Sequence, residues 1–278
     1  MLVLPGKSRP CACLAVCAGS EVRNIQMQVL ASSFMMKAGI TMGTNEKSNG
    51  RQTLLIDADD TLWANNIYFE RAIAEFISFL NHQEYTREEV RAVLNDVERE
   101  CIISHGYGLH SFAHALMRTF ERLSVEPITP ALHETIHSFA HMIAEHPIEM
   151  FEGVPETLQY LSGRHHLIMM TKGNITEQSA KVERSGVKDY FSAVEIVAEK
   201  DPPTYRSIVE KYGLAADNTW MVGNSPKSDI NPALAVGLNA VFIPHDMTWV
   251  LEQGEVLTDN VEGRLLIVDR FSDLQAHF

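Results

Sequence analysis

The chain has no run approaching the ~20 consecutive apolar residues that a membrane-spanning helix requires, so the sequence excludes a helical membrane protein. Cysteine is scarce. Of the four present, Cys11, Cys13 and Cys17 crowd one short stretch and Cys101 stands alone, which is no framework for stapling 278 residues together. The spacing of Cys13 and Cys17 suits half of a zinc site, but no second Cys or His pair lies nearby to complete it. A reducing cytoplasm with free thiols is the expected setting. Basic residues are also few, 23 Lys and Arg against 36 Asp and Glu, leaving a net charge of -13. Nucleic-acid backbones and anionic membranes reward Lys and Arg clusters, and this chain has none. The expected partners are small molecules, with neither nucleic acid nor membrane.

At 45% hydrophobic residues, the chain can bury one large core, or a core plus a smaller partner unit. Residues 1–51 show no sustained period and read as a disordered N-terminal extension. The rival reading there is a secretory signal, with Lys7 and Arg9 ahead of an apolar run from Cys11 to Ala18, but that run is short and follows Pro10 directly. From Gln52 the pattern sharpens into a buried strand. Helical periods then fill residues 66–149, and strand-helix alternation resumes from 150 to 278. Such alternation predicts an α/β fold with a parallel, doubly wound sheet, built from 52–65 and 150–278 and interrupted by an all-helical insertion.

The first strand ends abruptly in chemistry. In "LLIDADDTLW" an apolar run stops at three carboxylates, Asp57, Asp59 and Asp60, which a fold keeps only where water, a cation or a substrate offsets their charge. Residues two apart on an extended chain face one way, so Asp57 and Asp59 address a common site. Asp60 reads as a turn or helix cap. Ligands in an open parallel sheet bind beyond the carboxyl ends of its strands, where Thr171, Lys200, Asn224 and Asp229 also fall. Lys172 and Asn174 read equally as phosphate contacts or solvated loop residues, and Trp63 and Tyr68 as packing. "HETIH" at 133–137 matches a zinc-protease pattern, with His141 as its one continuation on the same face, yet it lies in the helical insertion and reads as a polar helix face.

The order D-A-D-D-T, then "MMT", then Lys200, then "VGNSPKSDINPA" resembles the haloacid dehalogenase superfamily across roughly residues 52–278. The resemblance implies a Rossmann-like core with a helical cap. For most members it also implies magnesium-dependent hydrolysis of phosphate esters through an aspartyl-phosphate, here on a small phosphorylated metabolite. Asp57 would be the nucleophile and Asp59 the general acid and base. Thr171 and Lys200 would hold phosphoryl oxygens. Magnesium would take Asp57, the backbone carbonyl of Asp59, and Asn224 or Asp229. One departure stands out: the family's fourth motif often begins Gly-Asp, and this chain has Gly223-Asn224, an uncharged oxygen. The rivals are a 2-haloacid dehalogenase and a catalytically weak binding or regulatory protein on the same fold.

Overall fold

The computed structural model describes residues 50–278, apart from 82, 83, 125, 126 and 260. The expected N-terminal extension, with Cys11, Cys13 and Cys17, lies almost wholly outside the described residues. Six strands form one parallel sheet: β1 (Thr53–Ile56), β2 (His166–Lys172), β3 (Ala193–Val197), β4 (Thr219–Gly223), β5 (Asn239–Phe242) and β6 (Leu265–Ile267). Their order is β3-β2-β1-β4-β5-β6. A parallel sheet needs cover on both faces, and β1 supplies apolar side chains to each: Leu54 and Ile56 join one buried cluster, Leu55 another.

Four helices lie between β1 and β2: α1 (Asn66–Leu80), α2 (Arg87–His105), α3 (Leu109–Leu123) and α4 (Pro130–Glu145). Local sequence starts them. Thr86 and Glu89 form a reciprocal capping box before α2, and Thr129 caps α4 ahead of Pro130, whose missing N–H costs nothing in a first turn. Their buried side chains pack into a cluster of their own, drawn from Ala72 to Ala140. The chain leaves the sheet and returns to it at one place. Trp63 bridges Met150 in antiparallel fashion, the Ala64 amide donates to the Glu149 carbonyl at 2.9 Å, and the Phe151 amide to that of Leu62 at 3.0 Å.

Beyond β1, α5 (Val154–Ser162) and α6 (Ile175–Ser185) cover one sheet face, while α7 (Pro202–Tyr212) and α8 (Asn231–Leu234) cover the other. This is the expected Rossmann-like α/β fold. From β1 the chain winds outward through β2 and β3, then crosses back to β4 on the opposite flank. The carboxyl ends of β1 and β4 therefore flank the point where strand order reverses, which opens a crevice in sheets of this type.

Candidate active site

The chain stays paired to β4 for one residue beyond β1, since the Asp57 amide donates to the Val222 carbonyl at 2.9 Å. This fixes the Asp57 carboxylate at the crevice. Lys200 Nζ donates to Asp57 Oδ1 at 2.5 Å and to Asp229 Oδ1 at 2.7 Å, so one buried ammonium joins two buried carboxylates. Thr61 Oγ1 donates to Asp57 Oδ2 at 2.9 Å and lies 3.2 Å from Asn224 Oδ1. Burial pushes the Asp57 carboxyl up to about 7, with the charges of Asp229 and Asp59 adding to it against the pull of Lys200. Burial works against the Lys200 charge as well, but Asp229 and Asp57 outweigh it and raise its pKa.

Asp59 lines the same cavity but belongs to a different set of contacts. Its carboxylate accepts from Lys181 Nζ at 2.7 and 2.9 Å, from Gln178 Nε2 at 2.8 Å and from Trp63 Nε1 at 2.7 Å. Burial alone would raise its pKa, yet these donors, Lys181 foremost, hold it below the ordinary carboxylate range. Asp60 does what a cap does, from a left-handed backbone (φ 59°) that Asp tolerates better than most residues: its carboxylate accepts from the amides of Asn65 and Asn66 at the start of α1.

Thr171, near the end of β2, is 1% exposed, and its Oγ1 has no hydrogen-bond partner among the described residues. Buried hydroxyls are rarely left so, and this one lines the cavity beside Asp57. Lys172 is no solvated loop residue: its Nζ donates to Glu252 at 2.6 Å, Ser228 at 2.8 Å and Glu199 at 3.1 Å. The helical insertion reaches the same place. Tyr107 Oη donates to Glu199 at 2.7 Å with its ring under Lys172 Nζ, and the Leu109 amide at the start of α3 donates to Glu177 at 3.0 Å.

The structure thus brings Asp57, Asp59, Thr171, Lys200, Asn224 and Asp229 to one cavity of about 170 Å³, room for a small molecule. Lys172, which the sequence left between a phosphate contact and a solvated loop residue, joins them, as do Gln178 and Lys181, which it did not single out. One signal for the last two was available: Asn174 caps α6, so Gln178 and Lys181 fall on the first turns of a helix that starts at the site. His133 and His137 do not converge on a metal position, since their rings stack at 4.3 Å, and no metal-holding group of three His, Cys, Asp or Glu exists among the described residues.

A model of the haloacid dehalogenase-like hydrolase family matches residues 52–237, two thirds of the chain. The protein belongs to that family. A solved haloacid dehalogenase-like hydrolase from Xanthomonas campestris is 28% identical, with a TM-score of 0.69 over 82% of this chain and 95% of that one. An L-2-haloacid dehalogenase from Xanthobacter autotrophicus, solved with chloropropionic acid covalently bound, is 14% identical, with a TM-score of 0.55 over 81% and 97%. A predicted phosphoglycolate phosphatase from Haemophilus somnus 129pt is 15% identical, with a TM-score of 0.55 over the same shares. No curated protein matches the chain.

This hydrolase offers a hard cation suitable donors, as members that use magnesium require. Asp57 Oδ2 and Asn224 Oδ1 share the Thr61 hydroxyl as a partner, at 2.9 and 3.2 Å, which brings two hard oxygens close together. Both oxygens of Asp229 accept hydrogen bonds, Oδ1 from Lys200 and Oδ2 from the Ser225 amide at 2.9 Å. That second contact depends on Gly223: a methyl group there would overlap the Asp229 carboxylate. Gly223→Ala is expected to displace Asp229 and to destabilise the fold by about 1–3 kcal/mol, the usual cost of overpacking, read from urea unfolding of both proteins.

Proposed function

We propose that this hydrolase is a magnesium-dependent phosphatase acting on a small phosphorylated metabolite, with the helical insertion as a cap over the site. The observation that carries the reading is the unpartnered Thr171 hydroxyl beside Asp57 and Lys200: a buried donor waiting for an oxyanion. A phosphoryl oxygen would satisfy it. An Asp57 oxygen forms a bond to phosphorus as the ester P–O bond breaks, and the leaving oxygen takes a proton from Asp59. Water then attacks phosphorus, gives a proton to Asp59, and the Asp57–phosphorus bond breaks to release phosphate. Lys200 holds Asp57 in line and meets the transferred charge, while Asp57, Asn224 and the Asp59 carbonyl would hold magnesium, with Asp229 a further candidate. When bound, magnesium supplies the charge that lets a carboxylate approach a phosphate.

One observation favours a second reading. Asp59 is held as an anion by Lys181, Gln178 and Trp63, so acting as an acid requires it to leave Lys181 and take up a proton. A 2-haloacid dehalogenase would use Asp57 as nucleophile and need no such acid. The test is release of phosphate from a generic aryl phosphate and a panel of small phosphate esters, with magnesium and with chelator, beside halide release from 2-chloropropionate. Phosphate release that needs magnesium is expected. Halide release without ester turnover would establish the second reading, and silence in both assays would point to a binding protein.

A further inference from the structure

The apolar stripe of α2 contains one residue of the wrong kind. Val90, Leu94, Val97 and Cys101 are buried along it, and so is Glu98, 6% exposed, between Val97 and Cys101. Glu98 lines the cavity that holds Asp57, and its Oε2 is enclosed without a hydrogen-bond partner among the described residues. Neighbouring cations act on it through charge alone and give their hydrogen bonds elsewhere. Arg91 gives its terminal nitrogens to Glu70 at 2.5 and 2.7 Å and its Nε to Asn95 at 2.8 Å, while Arg99 pairs with Asp96 at 2.5 Å. Burial pushes the Glu98 carboxyl up to about 7, against the pull of the Arg91 and Arg99 charges and with the charge of Glu70 adding to it. A buried carboxylate is retained where something pairs with it, and among the described residues no donor reaches Oε2.

We propose that Glu98 selects the substrate by accepting a hydrogen bond from a primary ammonium group at the end remote from the phosphoryl group. The inference rests on the phosphatase reading for the reacting end and on Glu98 for the other. A hydroxyl would satisfy the lone pair but leave the charge unbalanced, so it is the weaker partner. A carboxylate would face like charge. Phe69, Ile102 and Phe112 also line the cavity and give a methylene stem apolar walls.

The test compares kcat/KM for 2-aminoethyl, 2-hydroxyethyl and ethyl phosphate and for phosphoglycolate, with magnesium at pH 8, on the wild type and on Glu98→Gln. A hydrogen-bonded ion pair in a site closed to water is worth about tenfold or more in discrimination. The wild type should therefore favour the aminoethyl ester over the ethyl ester by at least that factor, with the hydroxyethyl ester between and phosphoglycolate last. Glu98→Gln, which keeps the shape, should collapse the order, and the loss should be largest for the aminoethyl ester. Equal turnover of aminoethyl and ethyl phosphate by the wild type would overturn this inference alone, whether or not the variant folds. If no ester is hydrolysed with magnesium, the phosphatase reading fails and this inference falls with it.

Discussion

If Asp57 is the proposed nucleophile, Asp57→Asn should abolish turnover, by about 10⁴-fold or more, yet melt at a higher temperature than the wild type above pH 7. The first effect follows from chemistry: an amide of nearly the same shape cannot form the bond that a carboxylate forms with the substrate. The second follows from burial. Folding raises the Asp57 pKa from its ordinary 3.8 to about 7, so between those values the folded chain holds a proton that the unfolded chain has released. Stability is therefore highest below about pH 4 as far as this group is concerned, and is lost as pH rises through 7. Asparagine has no such dependence. Lys200 keeps Asp229 as a partner in the variant, so no buried ammonium is stranded. Melting curves of metal-free protein at pH 5 and pH 8 check this: the variant's advantage should grow between them, at about 2–4 °C per kcal/mol for a chain of this size. An advantage that shrinks would mean Asp57 is ionised and well paired in the fold.

Lys200→Met removes the one ammonium between Asp57 and Asp229 and leaves two buried carboxylates facing each other. Breaking a buried pair from one side costs about 3–5 kcal/mol, because the remaining charge is neither solvated nor paired. Methionine fills much of the space, so the loss is electrostatic rather than a cavity. The sign with pH is defined: without the Lys200 charge that pulls it down, the Asp57 pKa rises further, so the defect is largest at pH 8 and eases as acid protonates that carboxyl. Urea unfolding at pH 8 and pH 5 measures this, and a defect equal at both would assign Lys200 a packing role. On the proposed mechanism turnover should fall by at least about 10²-fold, since the group that would meet the transferred charge is gone.

The sheet was legible because a strand buried on both faces must be an apolar run, and Leu54 to Ile56, Leu167 to Met170 and Trp220 to Val222 are such runs. The gathering of Asp57, Thr171, Lys200, Asn224 and Asp229 was legible for a related reason: parallel strands all end at one edge, so polar residues just past them meet there. Lys181 and Gln178 gave no comparable sign. They lie on a helix, where charged and amide side chains usually face water, and their partner Asp59 is 122 and 119 residues away in sequence. Glu98 was hidden differently. Period marks a stripe by its apolar members and passes over a polar one among them, although burial makes that member the informative residue. The uncharged Asn224 was visible from the start, and its contacts to Thr61 and Thr248 give it a place in the site without requiring charge.

The paired segments Leu62–Ala64 and Glu149–Phe151 form a neck that carries both covalent connections between the four-helix block and the sheet. Exit and entry coincide, so the sheet's register is set without reference to how long the intervening chain is or how it folds. Gene rearrangement can therefore exchange the block as a cassette, because any insert whose two ends meet at that spacing leaves the carboxylates beyond β1 and β4 where they are. On the proposed function, what the molecule does to a bond and what it admits to that bond would be inherited through separable stretches of one gene.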